Sequence, residues 1–128
     1  MTEKIAVLGE GITAKAVLAY AKKSSIDIVS VADAELIIAS PGIPQENFPE
    51  VDVPIISEIE WAYRLFQASG APPTLIGITG TNGKSTVTSM VSLVGDMPYA
   101  GNIGIPLINY VGLERDFPYI AVELSSYQ

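Results

Sequence analysis

GITGTNGKSTVTSMV, residues 77–91, joins the end of an apolar run (TLIGI, 74–78), a glycine-spaced polar turn (TGTNGK, 79–84) and a helix-like run (STVTSMVSLV, 85–94). A strand that enters such a turn and leaves it as a helix gathers unpaired backbone N–H groups and the positive end of a helix dipole around one point. That point suits an anion. Gly80 and Gly83 allow close approach of a phosphate, Lys84 offers charge to its outer oxygens, and Ser85 offers an oxygen to Mg²⁺. Thr81, Asn82 and Thr86 belong to the same cradle. Gly83-Lys84-Ser85 fits the usual phosphate-loop pattern, but the first glycine of that pattern should fall at 78, which is Ile78. The alternative is an ordinary strand-to-helix turn in which Thr81 or Asn82 caps and Lys84 is solvated. Gly-Lys-Ser-Thr at a helix start, after a buried-type strand, favours nucleotide phosphate.

Upstream of this turn, Gly70-Ala-Pro-Pro73 stops a helix and cannot continue one, which makes it the best linker in the chain. The expected division is therefore 1–70 and 74–128. The first part alternates strand and helix: KIAVLG (4–9), AKAVLAYAKKS (14–24) with Ala16, Val17, Tyr20 and Ala21 on one face, IDIVSV (26–31) and AELIIAS (34–40). A proline-rich loop (44–54) and a short strand, VPII, come next. Ser57 is a candidate cap for a helix running to about Ser69, with Ile59, Ala62, Leu65 and Phe66 on one face. Trp61 and Tyr63 are expected to pack with Phe66 rather than to stack a base. The second part offers the strand TLIGI, the phosphate turn, a helix 84–94, a loop GDMPYAGNIGIP, a possible helix 106–112 and a strand YIAVELS (119–125). This order predicts an α/β fold: a short Rossmann-like parallel-sheet unit, then the first part of a P-loop ATPase-type α/β domain.

Composition narrows the chemistry. The 128 residues are 48% apolar, carry no cysteine and no histidine, and have a net charge of −7 from seven basic and fourteen acidic residues. The apolar content argues against disorder, and the scattered basic residues argue against nucleic acid as a partner. No apolar run approaches a membrane span and the start lacks a secretory signal, so a cytoplasmic protein is expected. Without histidine or cysteine, chemistry falls to carboxylates, hydroxyls, lysine, backbone amides and any bound metal.

Three further features are candidates for a site. GEGITA (9–14) follows a strand and opens a helix, as a dinucleotide-type turn does, but no acid stands convincingly at the end of the second strand to bind a ribose: Asp27 starts that strand and Asp33 follows it. Ligand binding and a tight structural turn stay equally open there, as they do at Ser40-Pro41-Gly42. Glu123, late in the apolar strand IAVELSS, would be costly on an inward face without a partner such as Mg²⁺, and would otherwise face solvent. Asn102 in AGNIGIP either turns the chain or touches a ligand.

In order, GEGITA, ASPGI, SEIEWAY, GITGTNGKSTVTSMV, GNIGIPL and AVELSSYQ resemble the amino-terminal part of the Mur ligase family. ELSSYQ and GNIGIPL are most similar to the member that adds D-glutamate to UDP-N-acetylmuramoyl-L-alanine. The resemblance implies an ATP-dependent carboxylate–amine ligase of peptidoglycan synthesis that works through an acyl phosphate. It implies that Lys84 contacts the ATP phosphates, Gly80 to Gly83 supply a backbone cradle, and Ser85 and Glu123 hold Mg²⁺. It further implies that Asn102 and Ser125 lie near the UDP-muramoyl substrate, while Ile12, Thr13, Ser40, Pro41 and Gly42 line its UDP pocket.

The sequence also departs from that family. Polar residues that usually follow the second strand are replaced by Ala32-Asp33, and only GDMPYA stands where a longer helix and a strand are usual. A metal-binding histidine, a carbamylated lysine and an amino-acid-binding domain, which the family carries after this point, are outside the 128 residues. These residues alone are therefore expected not to catalyse ligation. A noncatalytic nucleotide-binding module and an NAD-binding oxidoreductase unit are the rival readings. The whole enzyme is expected to be a monomer, whereas a terminal strand with an open edge would let these residues self-associate.

Overall fold

The computed structural model describes residues 3–40, 43–70, 72–79, 90, 95, 97–101, 105–113 and 116–124. Its strands are β1 (Lys4–Leu8), β2 (Asp27–Ile28), β3 (Leu36–Ala39), β4 (Ile55–Ser57), β5 (Thr74–Ile78), β6 (Tyr99–Gly101) and β7 (Tyr119–Glu123), accompanied by α1 (Ile12–Lys23) and α2 (Glu58–Ala68). They form two sheets, ordered β2-β1-β3-β4 and β5-β7-β6. Every pairing in both is parallel. The α/β expectation with a Rossmann-like first unit holds.

In the first sheet β1 is paired on one side with β2 and on the other with β3. The chain thus reverses its direction of winding between β1 and β3, and the carboxyl ends of two such strands are where open α/β sheets form a ligand crevice. Helix α1 buries Ala14, Val17 and Ala21, and it begins at Ile12 rather than at 14. Lys22 and Lys23 occupy its last turn, where cations complement the dipole. The expected strand 26–31 shortens to β2. Its ladder with β1 covers only Lys4↔Asp27 and Ile5↔Ile28, after which the chain turns through a 3₁₀ helix, Val31–Asp33. The 44–54 loop likewise contains a 3₁₀ turn, Gln45–Asn47.

Helix α2 starts where its cap predicts: the Ser57 hydroxyl accepts the Glu60 backbone N–H at 3.1 Å. It ends before Gly70, whose φ of +82° is one that residues with a side chain rarely adopt. Ile59, Ala62 and Phe66 are buried as their spacing predicts, and Trp61 joins them. Tyr63 does not. It is 46% exposed, because two residues beyond Trp61 the helix has turned it to the opposite side.

The second sheet corrects three expectations. Strand β7 lies between β5 and β6, so the last strand described is central and has no open edge. The GDMPYA stretch leads into a strand, because Tyr99–Gly101 pairs with Ala121–Glu123. The possible helix 106–112 is a 3₁₀ turn, Leu107–Tyr110. Of the expected helix 84–94, only Met90 lies among the described residues; it is helical, as is Gly95 just beyond.

One core serves both sheets. Ile5, Val17, Ile38, Trp61 and Phe66 of the first part and Leu107, Ile108, Ile120 and Val122 of the second belong to a single buried cluster. Tyr20 meets Trp61 edge-on with ring centroids 5.5 Å apart. No helix among the described residues is long and apolar enough to cross a membrane.

Candidate functional site

At the crevice between β1 and β3, Gly9 follows one strand and Ser40 the other, with Ser40 N–H donating to the Leu8 carbonyl at 2.9 Å. Gly9 has a φ of +117°, and a Cβ there would run into the Ser40 hydroxyl and stand 2.7 Å from Ser40 Cβ. Glycine is therefore required by both backbone and space. The Ser40 Oγ is buried and has no hydrogen-bond partner among the described residues. Such a group costs free energy unless something binds it.

The same crevice receives the start of α1. Gly11 is its N-cap, no side chain caps it, and its first turn contains no acid. The orphan N–H groups and the dipole thus face whatever lies beyond the turn. Ile12, 75% exposed, and half-buried Thr13 form that first turn. The structure brings Ile12, Thr13 and Ser40 to one end of the sheet; Pro41 and Gly42 lie outside the described residues. A dinucleotide-type ribose acid is no better supported here, since Asp27 lies within β2 and Asp33 accepts the Ser30 hydroxyl at 3.2 Å.

At the carboxyl end of the second sheet stands Glu123. It is 3% exposed, which excludes the solvent-facing alternative. Its register partners are Ile78 on β5 and Gly101 on β6. Ile78 is two residues before Gly80, so the buried carboxylate sits beside the strand that leads into the glycine turn. Gly101, at φ +103°, lies against the Glu123 main chain, where a Cβ would strike the carbonyl oxygen. Gly80, Thr81, Asn82, Gly83, Lys84, Ser85, Thr86, Asn102 and Ser125 lie outside the described residues.

No cluster of three or more acidic, histidine or cysteine side chains able to hold a metal occurs among the described residues. The buried carboxylate of Glu123 is compatible with Mg²⁺, which commonly takes one or two carboxylates and completes its shell from phosphate and water.

One buried acid was not singled out from the sequence. Glu58, the first residue of α2, is 2% exposed, and its Oε2 accepts the Ile108 backbone N–H at 2.8 Å. Burial pushes its carboxyl up to about 7, while the N–H groups of Ile108 and Leu107 pull it down. Its position did carry a signal: it stands three and four residues before Trp61 and Ala62, on the helix face that is buried.

No protein-family model matches the chain. Curated relatives do. A UDP-N-acetylmuramoylalanine--D-glutamate ligase of Desulfatibacillum aliphaticivorans is 43% identical over 108 residues, 74% of this chain and 22% of the relative. That of Fusobacterium nucleatum is 43% identical over 106 residues, 73% and 24% respectively. That of Tropheryma whipplei (strain Twist) is 36% identical over 129 residues, 93% and 26% respectively. The chain spans about a quarter of the length of these relatives. The chain is thus similar to the amino-terminal part of these ligases, in agreement with the resemblance of its motifs to the Mur ligase family.

Proposed function

We propose that the chain supplies the UDP-sugar unit, residues 1–70, and the opening part of the ATP unit, residues 74–128, of a cytoplasmic ATP-dependent ligase. That ligase joins D-glutamate to UDP-N-acetylmuramoyl-L-alanine in peptidoglycan synthesis. The observation that carries this reading is the register of Ile78 with Glu123, which sets a buried carboxylate beside the strand entering TGTNGKST. A phosphate loop with an acid at the end of the neighbouring parallel strand is an arrangement suited to nucleotide and Mg²⁺.

In this reading the γ-phosphoryl group of ATP passes to an oxygen of the L-alanine carboxylate and the bond to ADP breaks. The amine of D-glutamate then attacks the acyl carbon, inorganic phosphate leaves with the C–O bonding electrons, and the new amide loses a proton. Lys84 and the backbone N–H groups of Gly80 to Gly83 stabilise charge on the transferring group. Ser85 and Glu123 hold Mg²⁺, which supplies neutralisation of phosphate charge. Thr81, Asn82 and Thr86 complete the nucleotide contacts, and Asn102 and Ser125 approach the muramoyl substrate.

In this reading the UDP moiety binds at the Gly9–Ser40 crevice, with Ile12, Thr13, Ser40, Pro41 and Gly42 as the residues that contact it. Its polar groups match the Ser40 hydroxyl, which has no partner among the described residues, and the start of α1, which no side chain caps. Exposed Glu10 adds an acceptor for a donor on the ligand.

Calorimetric titration tests the reading. The gene product should bind ATP·Mg²⁺ and not NAD, and Lys84→Ala should weaken ATP by about 10- to 100-fold, the worth of one charge-assisted hydrogen bond. NAD binding without ATP binding would overturn it.

A further inference from the structure

The 3₁₀ turn Leu107–Tyr110 lacks a side-chain cap of its own, since Pro106 precedes it and can offer none. Leu107 and Ile108 are nonetheless buried, at 0% and 1% exposure. Their N–H groups would be orphaned there without an acceptor. Glu58 meets this need from a separate part of the chain, 50 residues away: Oε2 accepts from Ile108 at 2.8 Å, and the Leu107 N–H also acts on the carboxyl. Because Glu58 is the first residue of α2 and follows β4 directly, the contact ties the carboxyl end of the first sheet to the second part of the chain.

Ile105 and Pro106 lead into this turn. Gly101 N–H donates to the Ile105 carbonyl at 3.3 Å and Ala100 bridges Ile105. Buried Pro106 follows directly and runs into the turn that Glu58 caps. These residues thus join β6 on one side to α2 on the other.

We propose that Glu58 is a positioning residue: by capping Leu107–Tyr110 across the two parts of the chain, it sets how β6 and the turn lie relative to the Gly9–Ser40 crevice. Its role in substrate alignment rests on the ligase reading given above, whereas the cap itself does not. A carboxylate suits the position because it accepts two N–H groups at once while lying near the positive end of α2. A small misplacement of one part of the chain against the other is enough to impair a two-site reaction.

The experiment uses the full-length gene product with Glu58→Met, which conserves volume and removes the acceptor, and Glu58→Gln, which keeps one. In hydrogen exchange, Glu58→Met should lower protection of the Leu107 and Ile108 amides at least tenfold and leave β1 and β3 unchanged, while Glu58→Gln retains most of it. In steady-state assays, Glu58→Met should raise KM for UDP-N-acetylmuramoyl-L-alanine at least fivefold and leave KM for ATP within twofold. Unchanged protection overturns the cap, and changed protection with both KM values unchanged overturns positioning. If Glu58→Met fails to fold, the unsubstituted protein decides: an Ile108 amide that exchanges as fast as open chain sinks the proposal. A wild-type protein with no ATP-dependent product overturns the ligase reading and the alignment role together, and the exchange data still decide the cap.

Discussion

Gly101 lies against the backbone of Glu123 so closely that a Cβ at position 101 would collide with the Glu123 carbonyl oxygen and stand 3.1 Å from its nitrogen. This contact lets β6 end flush beside the buried carboxylate on the central strand. Gly101→Ala therefore carries two penalties, a positive φ of +103° and a clash with main chain that cannot swing away. It should destabilise by more than about 2 kcal/mol. Gly112→Ala is the control: its φ is +96° but its Cβ would meet open space, so it should cost only about 1 kcal/mol. Urea unfolding of both variants checks the difference.

Ser40 should separate stability from binding. Its buried hydroxyl lacks a partner among the described residues, so Ser40→Ala removes an uncompensated polar group and should leave stability unchanged or raise it by about 1 kcal/mol. The same change should weaken UDP-N-acetylmuramoyl-L-alanine by roughly fivefold to tenfold, the worth of one hydrogen bond. Thermal unfolding and ligand titration on one preparation read both effects. A loss of stability with unchanged affinity would contradict the crevice assignment.

Glu58 should make stability depend on pH near neutrality. Burial raises its carboxyl from 4.5 to about 7, so between those values the folded chain holds a proton that the unfolded chain releases. The contribution is fully present below pH 4.5 and is lost as pH rises through about 7, amounting to roughly 3 kcal/mol. Other titratable groups on the packed elements are placed differently. Glu60 and Arg64 pair at 3.4 Å on the exposed side of α2, Lys15, Lys22 and Lys23 of α1 are exposed, and burial, then Tyr99, raises Tyr110 above the ordinary tyrosine range. Glu58→Gln should accordingly flatten the difference between unfolding free energies at pH 5 and pH 7.5.

Trp61 should report on both parts of the chain. It is the one tryptophan in the sequence, is 2% exposed, and shares a buried cluster with Leu107, Ile108 and Ile120. Trp61→Ala should cost about 3 to 5 kcal/mol, a large share of an ordinary domain's stability. Exposed Tyr63→Ala should fall within about 0.5 kcal/mol. Tryptophan fluorescence during wild-type unfolding should follow the loss of β7 amide protection, because both belong to the same core.

The elements that sequence made legible are those specified by neighbours along the chain. The apolar faces of α1 and α2, the Ser57 cap, the stop at Gly70 and the strand cores of β1, β3, β5 and β7 follow from periodicity and local hydrogen bonding. Glu123 was legible because a carboxylate in an apolar strand needs a reason to be there. The expectation of a phosphate site from Gly80 to Lys84 rests on consecutive residues, which lie outside the described ones.

Tertiary structure decided what depends on distant partners. Tyr99–Gly101 is too short to announce itself and becomes a strand by pairing with β7; that same pairing places β7 at the centre of its sheet. The run 26–31 is apolar enough for a strand, yet its pairing with β1 extends over only two residue positions. Glu58 resembles any acid in a helix's first turn, where the dipole alone would justify it. Its burial beneath Leu107 and Ile108, 50 residues on, follows only when the two sheets share a core. Local sequence fixes dihedral preferences and faces, but which edge meets which, and which carboxylate loses its water, are settled by packing between segments far apart in the chain.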